Sequence, residues 1–172
     1  MNKIYLRTVL DEDCNDVFSW RNDEKTRNAN FCSGIISYED HKIWFNDSLK
    51  NPNRFIYIAE DGEKNKIGIV RLDKLNNHVA EFDINVVPKM RGNGYARQMI
   101  ELSCEIFLEE NNVDIFIARI KSSNLASIKS FRNAGFFELF NCVDVKHGEI
   151  VAFVKMAMNC KKFMRKSREI NL

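Results

Sequence analysis

Residues 91–96, Arg-Gly-Asn-Gly-Tyr-Ala, constrain the fold of this 172-residue chain more than any other stretch. The chain has only seven glycines, yet Gly92 and Gly94 lie one residue apart, between a strand pattern and a helix pattern. Glycine adopts backbone conformations that other residues avoid and lets the backbone approach a ligand closely. The exposed N–H groups, followed by the positive end of a helix, favour binding of a phosphate or pyrophosphate.

Two common phosphate-binding motifs do not fit this segment. The Walker A motif requires Gly-Lys-Ser/Thr, which does not follow the glycines. The dinucleotide-binding fingerprint fails at two positions. Its third glycine or alanine would fall on Arg97. Asp114 lies at the distance of the ribose-binding acid, but it comes before a strand, whereas the fingerprint needs an acid at the end of one. A plain turn stays an alternative for Gly-Asn-Gly taken alone.

Hydrophobic periodicity predicts a mixed α/β domain with the order β-α-α-β-β-β-α-β-α-β-β. Strands near residues 55–60, 67–72 and 80–87 are joined by short turns, which predicts an antiparallel meander. The third of these strands alternates, so its apolar and polar residues take opposite faces: Phe82, Ile84 and Val86 against Glu81, Asp83 and Asn85. A later helix between two strands predicts a β-α-β crossover.

Composition predicts one globular domain over residues 1–159 and a basic tail over residues 160–172. Hydrophobic residues make up 45% of the chain and charged residues 29%, which excludes an intrinsically disordered protein. We predict a solvated tail, with a nucleic-acid or acidic-partner contact as the alternative. The net charge of +2 is too small to predict nucleic-acid binding by the domain.

Neither a spanning helix nor a secretory signal is predicted, so we expect a cytoplasmic protein without a membrane partner. The five cysteines and three histidines are scattered along the chain. This spacing argues against a metal site and against a disulfide framework.

Residues 86–96 and residues 124–136 together resemble the GNAT superfamily of acetyl-CoA-dependent N-acetyltransferases, and the element order agrees over about residues 3–158. The resemblance implies a mostly antiparallel sheet of about seven strands flanked by about four helices, with acetyl-CoA as co-substrate and no metal. It also implies a set of cofactor-binding residues. These are Arg91, Gly92, Asn93, Gly94, Tyr95 and Ala96 for the pyrophosphate, Asn85, Val86, Val87 and Asn124 for the pantetheine, and Phe131 near the thiol.

Phe131 departs from the family pattern, because many relatives carry a tyrosine there that protonates the leaving thiolate. Phenylalanine has no proton to give, so we assign no general acid. A thiol pKa of about 8.5 still makes the thiolate a tolerable leaving group. The same residue also favours an alternative, a CoA-binding module without catalysis.

The segments 20–22 (Trp-Arg-Asn), 37–41 and 44–45 resemble a subgroup that acts on amino-sugar nucleotides, such as the N-acetyltransferase of pseudaminic acid biosynthesis. This resemblance implies that Arg21 and His41 bind the phosphates of a nucleotide-linked amino sugar, the expected small-molecule partner.

Alternatives stay open for these two residues and for the acceptor. Arg21 would otherwise form a surface ion pair, and His41 would pack beside the neighbouring aromatic residues. The acceptor would otherwise be a protein N-terminus, as in the ribosomal-protein branch, or another small amine. The sequence leaves the oligomeric state open, a homodimer included.

Glu81 and Asp83 are the candidate catalytic bases, in that order. An alkylammonium is mostly protonated at pH 7, so acetyl transfer to it benefits from a base. Both carboxylates project from one face of the strand that would bind acetyl-CoA, although outward carboxylates in solvent are the alternative. A backbone N–H near Val86 or Val87 is the candidate for stabilising the tetrahedral oxyanion.

Overall fold

The computed structural model describes residues 3–146 and 149–164, which contain seven strands and five complete α-helices, with residues 160–164 helical as well. The strands are β1 (Ile4–Thr8), β2 (Arg54–Asp61), β3 (Lys66–Lys74), β4 (Val79–Val86), β5 (Ile115–Lys121), β6 (Phe137–Lys146) and β7 (Glu149–Asn159). The helices are α1 (Cys14–Asn22), α2 (Glu24–Ala29), α3 (Tyr38–Lys50), α4 (Tyr95–Glu110) and α5 (Leu125–Asn133).

The strands form one sheet in the order β1-β2-β3-β4-β5-β7-β6. Every pairing between neighbouring strands is antiparallel except β4 with β5. The prediction of a mixed, mostly antiparallel sheet with a β2-β3-β4 meander is confirmed. The helix α2 was not predicted, and residues 160–164 are helical as well, so the described residues contain more helices than the four or so expected.

Local signals explain where α2 and α3 begin. The Ser37 side chain accepts a hydrogen bond from the Asp40 backbone N–H at 3.1 Å and caps α3. The Asp23 side chain does the same for α2, accepting from the Thr26 N–H at 3.0 Å. The two caps fix the first residues of α2 and α3.

Apolar side chains fill both faces of the sheet. On one face α4 buries Met99, Cys104 and Phe107 against the sheet, and α5 adds Ile128 and Phe131. The opposite face is covered by a smaller cluster from α1, α3 and β2, formed by Val17, Trp20, Phe45, Ile56 and Ile58. The site therefore lies in a sheet held rigidly from both sides.

The parallel pairing of β4 with β5 ends early. It covers four residue pairs, from Val79 with Ile115 to Phe82 with Ala118, although β4 continues to Val86 and β5 to Lys121. The two strands therefore separate beyond Phe82, and polar backbone groups of β4 face the gap.

The first residues of the predicted basic tail pack onto the domain. Cys160 is buried, and Phe163 packs against the main core. The later basic residues Arg165, Lys166 and Arg168, like His147, lie outside the described residues. Among the helices of the described ranges, none is long and apolar enough to cross a membrane.

Candidate functional site

A cleft of about 1120 Å³ opens where β4 and β5 separate. All of the residues predicted for the site line this cleft except Val87 and Asn93. Those that do are Arg21, His41, Glu81, Asp83, Asn85, Val86, Arg91, Gly92, Gly94, Tyr95, Ala96, Asn124 and Phe131. Segments distant in sequence therefore meet in one cavity large enough for a small-molecule ligand.

The glycine pair has the backbone geometry that the sequence predicted. Gly92 and Gly94 have φ values of 82° and 76°, in the left-handed region that favours glycine. Gly94 is the N-cap of α4 and has no side chain to cap it, so the first N–H groups of the 16-residue helix are left for another acceptor. The loop and helix end can thus bind an anion through backbone N–H groups.

The Arg91 side chain turns away from this loop towards α2. Its Nη1 lies 2.8 Å from Asp23 Oδ2, and its Nη2 donates to Thr26 Oγ1 at 2.6 Å. Its Nε donates to the Val86 carbonyl oxygen at 3.1 Å. The guanidinium therefore holds the loop in place through α2 and β4, and the backbone N–H groups of the loop stay the candidates for binding an anion. Sequence reasoning missed Asp23 and Thr26 because α2 itself was not predicted.

At the end of β4 the structure favours Val86 over Val87 as the oxyanion donor. The Val87 N–H already donates to the Ile67 carbonyl oxygen at 2.8 Å, so the expectation for Val87 fails. Successive residues of an antiparallel strand direct their N–H groups to opposite edges. The Val86 N–H is therefore directed towards the gap beside β5.

Both candidate bases face the cleft, and each is paired with an arginine. Glu81 Oε1 lies 2.5 Å from Arg119 Nε of β5, next to the last paired residues of the two strands. Asp83 Oδ2 lies 3.1 Å from Arg71 Nη2 on β3. Glu81 is the less exposed carboxylate, with a side chain 19% exposed against 51% for Asp83. The Arg119 pairing fixes the Glu81 carboxylate at the point where the strands part.

Arg21 and Arg71 each carry a buried guanidinium N–H without a hydrogen-bond partner in the described residues. Arg21 uses Nη2 on the Cys32 carbonyl oxygen at 2.8 Å, and its Nη1 has no acceptor. Arg71 Nε lies 3.1 Å from Asp73 Oδ2 but is not aligned for a hydrogen bond. Burial lowers the pKa of Arg21, although the charge of Asp83 opposes this.

An unpaired buried donor costs about 1–3 kcal/mol, so these two groups are suited to a ligand oxygen. They are the two buried side-chain polar atoms without a partner in the described part of the chain. Arg21 was predicted for this role, whereas nothing in the pattern around Arg71 indicated one.

His41 lines the cleft but is only 2% exposed. Its ring packs against Phe18, Trp44 and Phe45, and its Nε2 lies 3.1 Å from the Cys14 carbonyl oxygen. Burial lowers the pKa of His41, so the ring is neutral at pH 7. A neutral, packed imidazole offers no charge to a phosphate, which moves the expected anion contact towards the arginines.

Asn124 and Phe131, at the start and within α5, line one wall of the cleft. The Asn124 side chain caps α5 by accepting from the Ser127 N–H at 3.1 Å. Phe131 is 2% exposed and packs edge-to-face with Phe82 and Phe136. The position at which many relatives carry a general acid therefore holds an apolar ring. The described residues include no group of His, Cys, Asp or Glu placed to hold a metal ion.

Comparison with known proteins gives one family. Residues 3–137 match the model of the acetyltransferase (GNAT) domain. Spermidine N(1)-acetyltransferase of Vibrio cholerae serotype O1 (strain ATCC 39315 / El Tor Inaba N16961) is 22% identical over 139 residues, which are 80% of each chain.

Two solved structures of similar fold come from the same bacterium. The spermidine N-acetyltransferase of Vibrio cholerae in complex with CoA and spermine has a TM-score of 0.85 at 21% identity, over 94% of this chain and 98% of that one. The spermidine/spermine N-acetyltransferase SpeG in complex with manganese ions has a TM-score of 0.78 at 20% identity, over 96% and 97%. At these identities the likeness establishes the fold.

Proposed function

The chain belongs to the acetyltransferase (GNAT) family, and on that premise we propose that it acetylates a small primary amine that also carries an anionic group, such as a nucleotide-linked amino sugar. Family membership makes the protein an acetyl-CoA-dependent N-acetyltransferase, as the sequence predicted, and rules against a CoA-binding module without catalysis. The acceptor is the open part of the assignment.

The unpartnered N–H groups of Arg21 and Arg71 carry the proposal. Both residues line the cleft, and both interact with the charge of Asp83. An anionic oxygen bound between them would satisfy two buried donors at once. A phosphate of a nucleotide-linked sugar has this chemistry, whereas the amine nitrogen of the sugar would face the thioester.

A polyamine is the second candidate acceptor, because the relatives compared above are spermidine acetyltransferases. The cleft contains carboxylates that would attract a polycation, namely Asp40, Asp73, Glu81 and Asp83. The last three are already paired with arginines, which weakens that attraction. These relatives do not support the resemblance to amino-sugar enzymes, so the amino-sugar acceptor rests on the arginines and on the sequence segments described first.

For the reaction we assign the roles that the geometry supports. The backbone N–H groups of residues 92–96 bind the pyrophosphate, and the Val86 N–H polarises the thioester carbonyl. The amine nitrogen attacks that carbonyl, a C–N bond forms, and the C–S bond breaks to release the CoA thiolate. Glu81 takes the proton of the attacking amine through a water molecule, with Asp83 as the alternative base. Phe131 donates no proton to the thiolate.

Acceptor kinetics of arginine variants test the anionic subsite. We expect Arg21→Ala and Arg71→Ala each to raise the KM for a UDP-linked 4-amino sugar about tenfold or more, with little change in the KM for acetyl-CoA. Arg132→Ala is the matched control, because Arg132 lies on α5 outside the cleft lining and pairs with Glu138. Unchanged acceptor KM values in both cleft variants would contradict the proposal.

A further inference from the structure

A polar network links the glycine loop to α2. Arg91 donates to Thr26, whose hydroxyl also lies 3.2 Å from Asn85 Oδ1. The Asn85 side chain in turn donates to the Trp20 carbonyl oxygen at 3.1 Å. Asp23 completes the network through its ion pair with Arg91. The end of β4, the loop and the junction of α1 with α2 are therefore fastened to one another.

We propose that Asp23 and Thr26 are positioning residues for CoA binding. They hold the Arg91 guanidinium against α2 and the Val86 carbonyl, and Arg91 in turn fixes the loop so that its N–H groups face the pyrophosphate. The proposal rests on the assignment of residues 91–96 to the pyrophosphate. It predicts that Arg91 acts on CoA through the loop backbone and makes no direct ion pair with the phosphates.

The burial and the charges of the residues in the network are those of a lasting structural contact. Thr26 is buried, and the side chains of Asp23 and Arg91 are both mostly shielded from water. Burial opposes the ionised form of Asp23, but the Thr26 N–H and the Arg91 guanidinium more than offset this and lower its pKa. Moving Arg91 out to a phosphate would leave the Asp23 carboxylate without its cation and the Thr26 hydroxyl without a donor.

The network also connects the segments that we assign to the two substrates. Arg21, assigned above to the acceptor, lies two residues before Asp23 on the same α1–α2 segment. Order in the loop and order in the acceptor side of the cleft therefore depend on a shared set of contacts, which is the physical basis for coupling between two sites.

Isothermal titration of the 172-residue protein with CoA tests the proposal. We expect Asp23→Asn and Thr26→Val each to weaken CoA binding about tenfold, on the scale of a lost charge-assisted hydrogen bond. Asparagine caps helices as well as aspartate does, so Asp23→Asn removes the charge and keeps the start of α2. Thr26→Ser retains the hydroxyl and should bind CoA within about twofold of the wild type. Asp16→Asn, an aspartate of α1 paired with Lys66, is the control and should have no effect.

Double variants distinguish positioning from direct contact. If Arg91 acts through the network, Asp23→Asn combined with Arg91→Gln should be no weaker than Arg91→Gln alone. If Arg91 instead binds the phosphates directly, Asp23→Asn frees the guanidinium and leaves CoA affinity unchanged or improves it. That result would overturn the inference, and so would a Thr26→Ser variant as weak as Thr26→Val. Thermal melting of each variant identifies losses that come from unfolding.

Failure of the underlying site assignment gives a different pattern. If Gly92→Val leaves CoA binding unchanged, the loop is not the pyrophosphate site, and the assignment and the inference fall together. If Gly92→Val abolishes binding while Asp23→Asn and Thr26→Val do not weaken it, the loop assignment stands and the positioning role is overturned.

Discussion

Gly68 on β3 pairs with Val86 at the end of β4 that we propose binds CoA, and its replacement by alanine tests how tightly this part of the sheet is packed. A Cβ added there would lie 2.4 Å from the Asn85 carbonyl oxygen, 2.8 Å from Met99 Cε and 3.1 Å from Val86 Cα. The methionine end can move, but the two backbone atoms move only if β4 shifts by about 1 Å to restore ordinary contact. Asn85 and Val86 are the residues assigned to the pantetheine, so the same shift disturbs the site.

The expected cost follows from overpacking. Inserting a methyl group into a packed interior costs about 1–3 kcal/mol, against a gain of about 0.5–1 kcal/mol from replacing a strand glycine. The 2.4 Å contact with a backbone oxygen puts the cost at about 2–3 kcal/mol, the upper part of that range. Gly68→Ala should therefore lower the free energy of unfolding by about 1–2.5 kcal/mol and the Tm by about 2–10 °C. We also expect the KM for acetyl-CoA to rise.

Urea denaturation and a thermal scan measure the first effect, and steady-state kinetics the second. The matched control is Gly62→Ala, because a Cβ at Gly62 meets nothing within 4 Å. That variant should match or slightly exceed the wild type in stability. A Gly68→Ala protein as stable as Gly62→Ala, with an unchanged KM for acetyl-CoA, would refute the packing argument.

Three further changes test other parts of the account. Glu81→Gln should lower kcat about 100-fold with an unchanged KM for acetyl-CoA, whereas the surface control Glu109→Gln should leave kcat unchanged. Equal kcat values for the two variants would exclude Glu81 as the base. Gly92→Val forces a side chain into a φ of 82° and should weaken CoA binding at least about tenfold, while Gly34→Val, in open space, should not. Burial lowers the pKa of His41 from 6.5, so the unfolded chain takes up that proton first as the pH falls. The contribution of His41 to the free energy of unfolding is fully present above about pH 6.5 and falls at lower pH by up to about 1.4 kcal/mol per pH unit. Urea denaturation at pH 7.5 and 5.5 should therefore show a smaller loss of stability for His41→Gln than for the wild type.

The sequence predicted the elements whose signal is local. The alternation of apolar and polar residues in β4 and the apolar stripe of α4 could be predicted, because hydrophobic periodicity follows the burial of each face. The glycine loop could be predicted because Gly92 and Gly94 lie close together in a glycine-poor chain, and both adopt a left-handed backbone. These elements were sufficient to bring Glu81, Asp83 and the loop to one cleft.

The parts that were missed depend on contacts between distant segments. The helix α2 has six residues and a polar sequence, so no apolar stripe marks it, and its stability comes from the Asp23 cap and the ion pair to Arg91. The expected role of Val87 in oxyanion binding failed because its N–H is taken by Ile67 on a neighbouring strand. The unpartnered donor of Arg71 becomes visible only when β3 and β4 are placed side by side.

The most direct measurement of the central claim is a thiol-release assay of the wild-type protein with acetyl-CoA and a matched pair of acceptors. A UDP-linked 4-amino sugar carries both an amine and an anionic group, and spermidine carries amines alone. The account predicts that kcat/KM is at least about tenfold higher for the UDP-linked amino sugar, because only that acceptor satisfies the buried donors of Arg21 and Arg71. A kcat/KM that is higher for spermidine would contradict it.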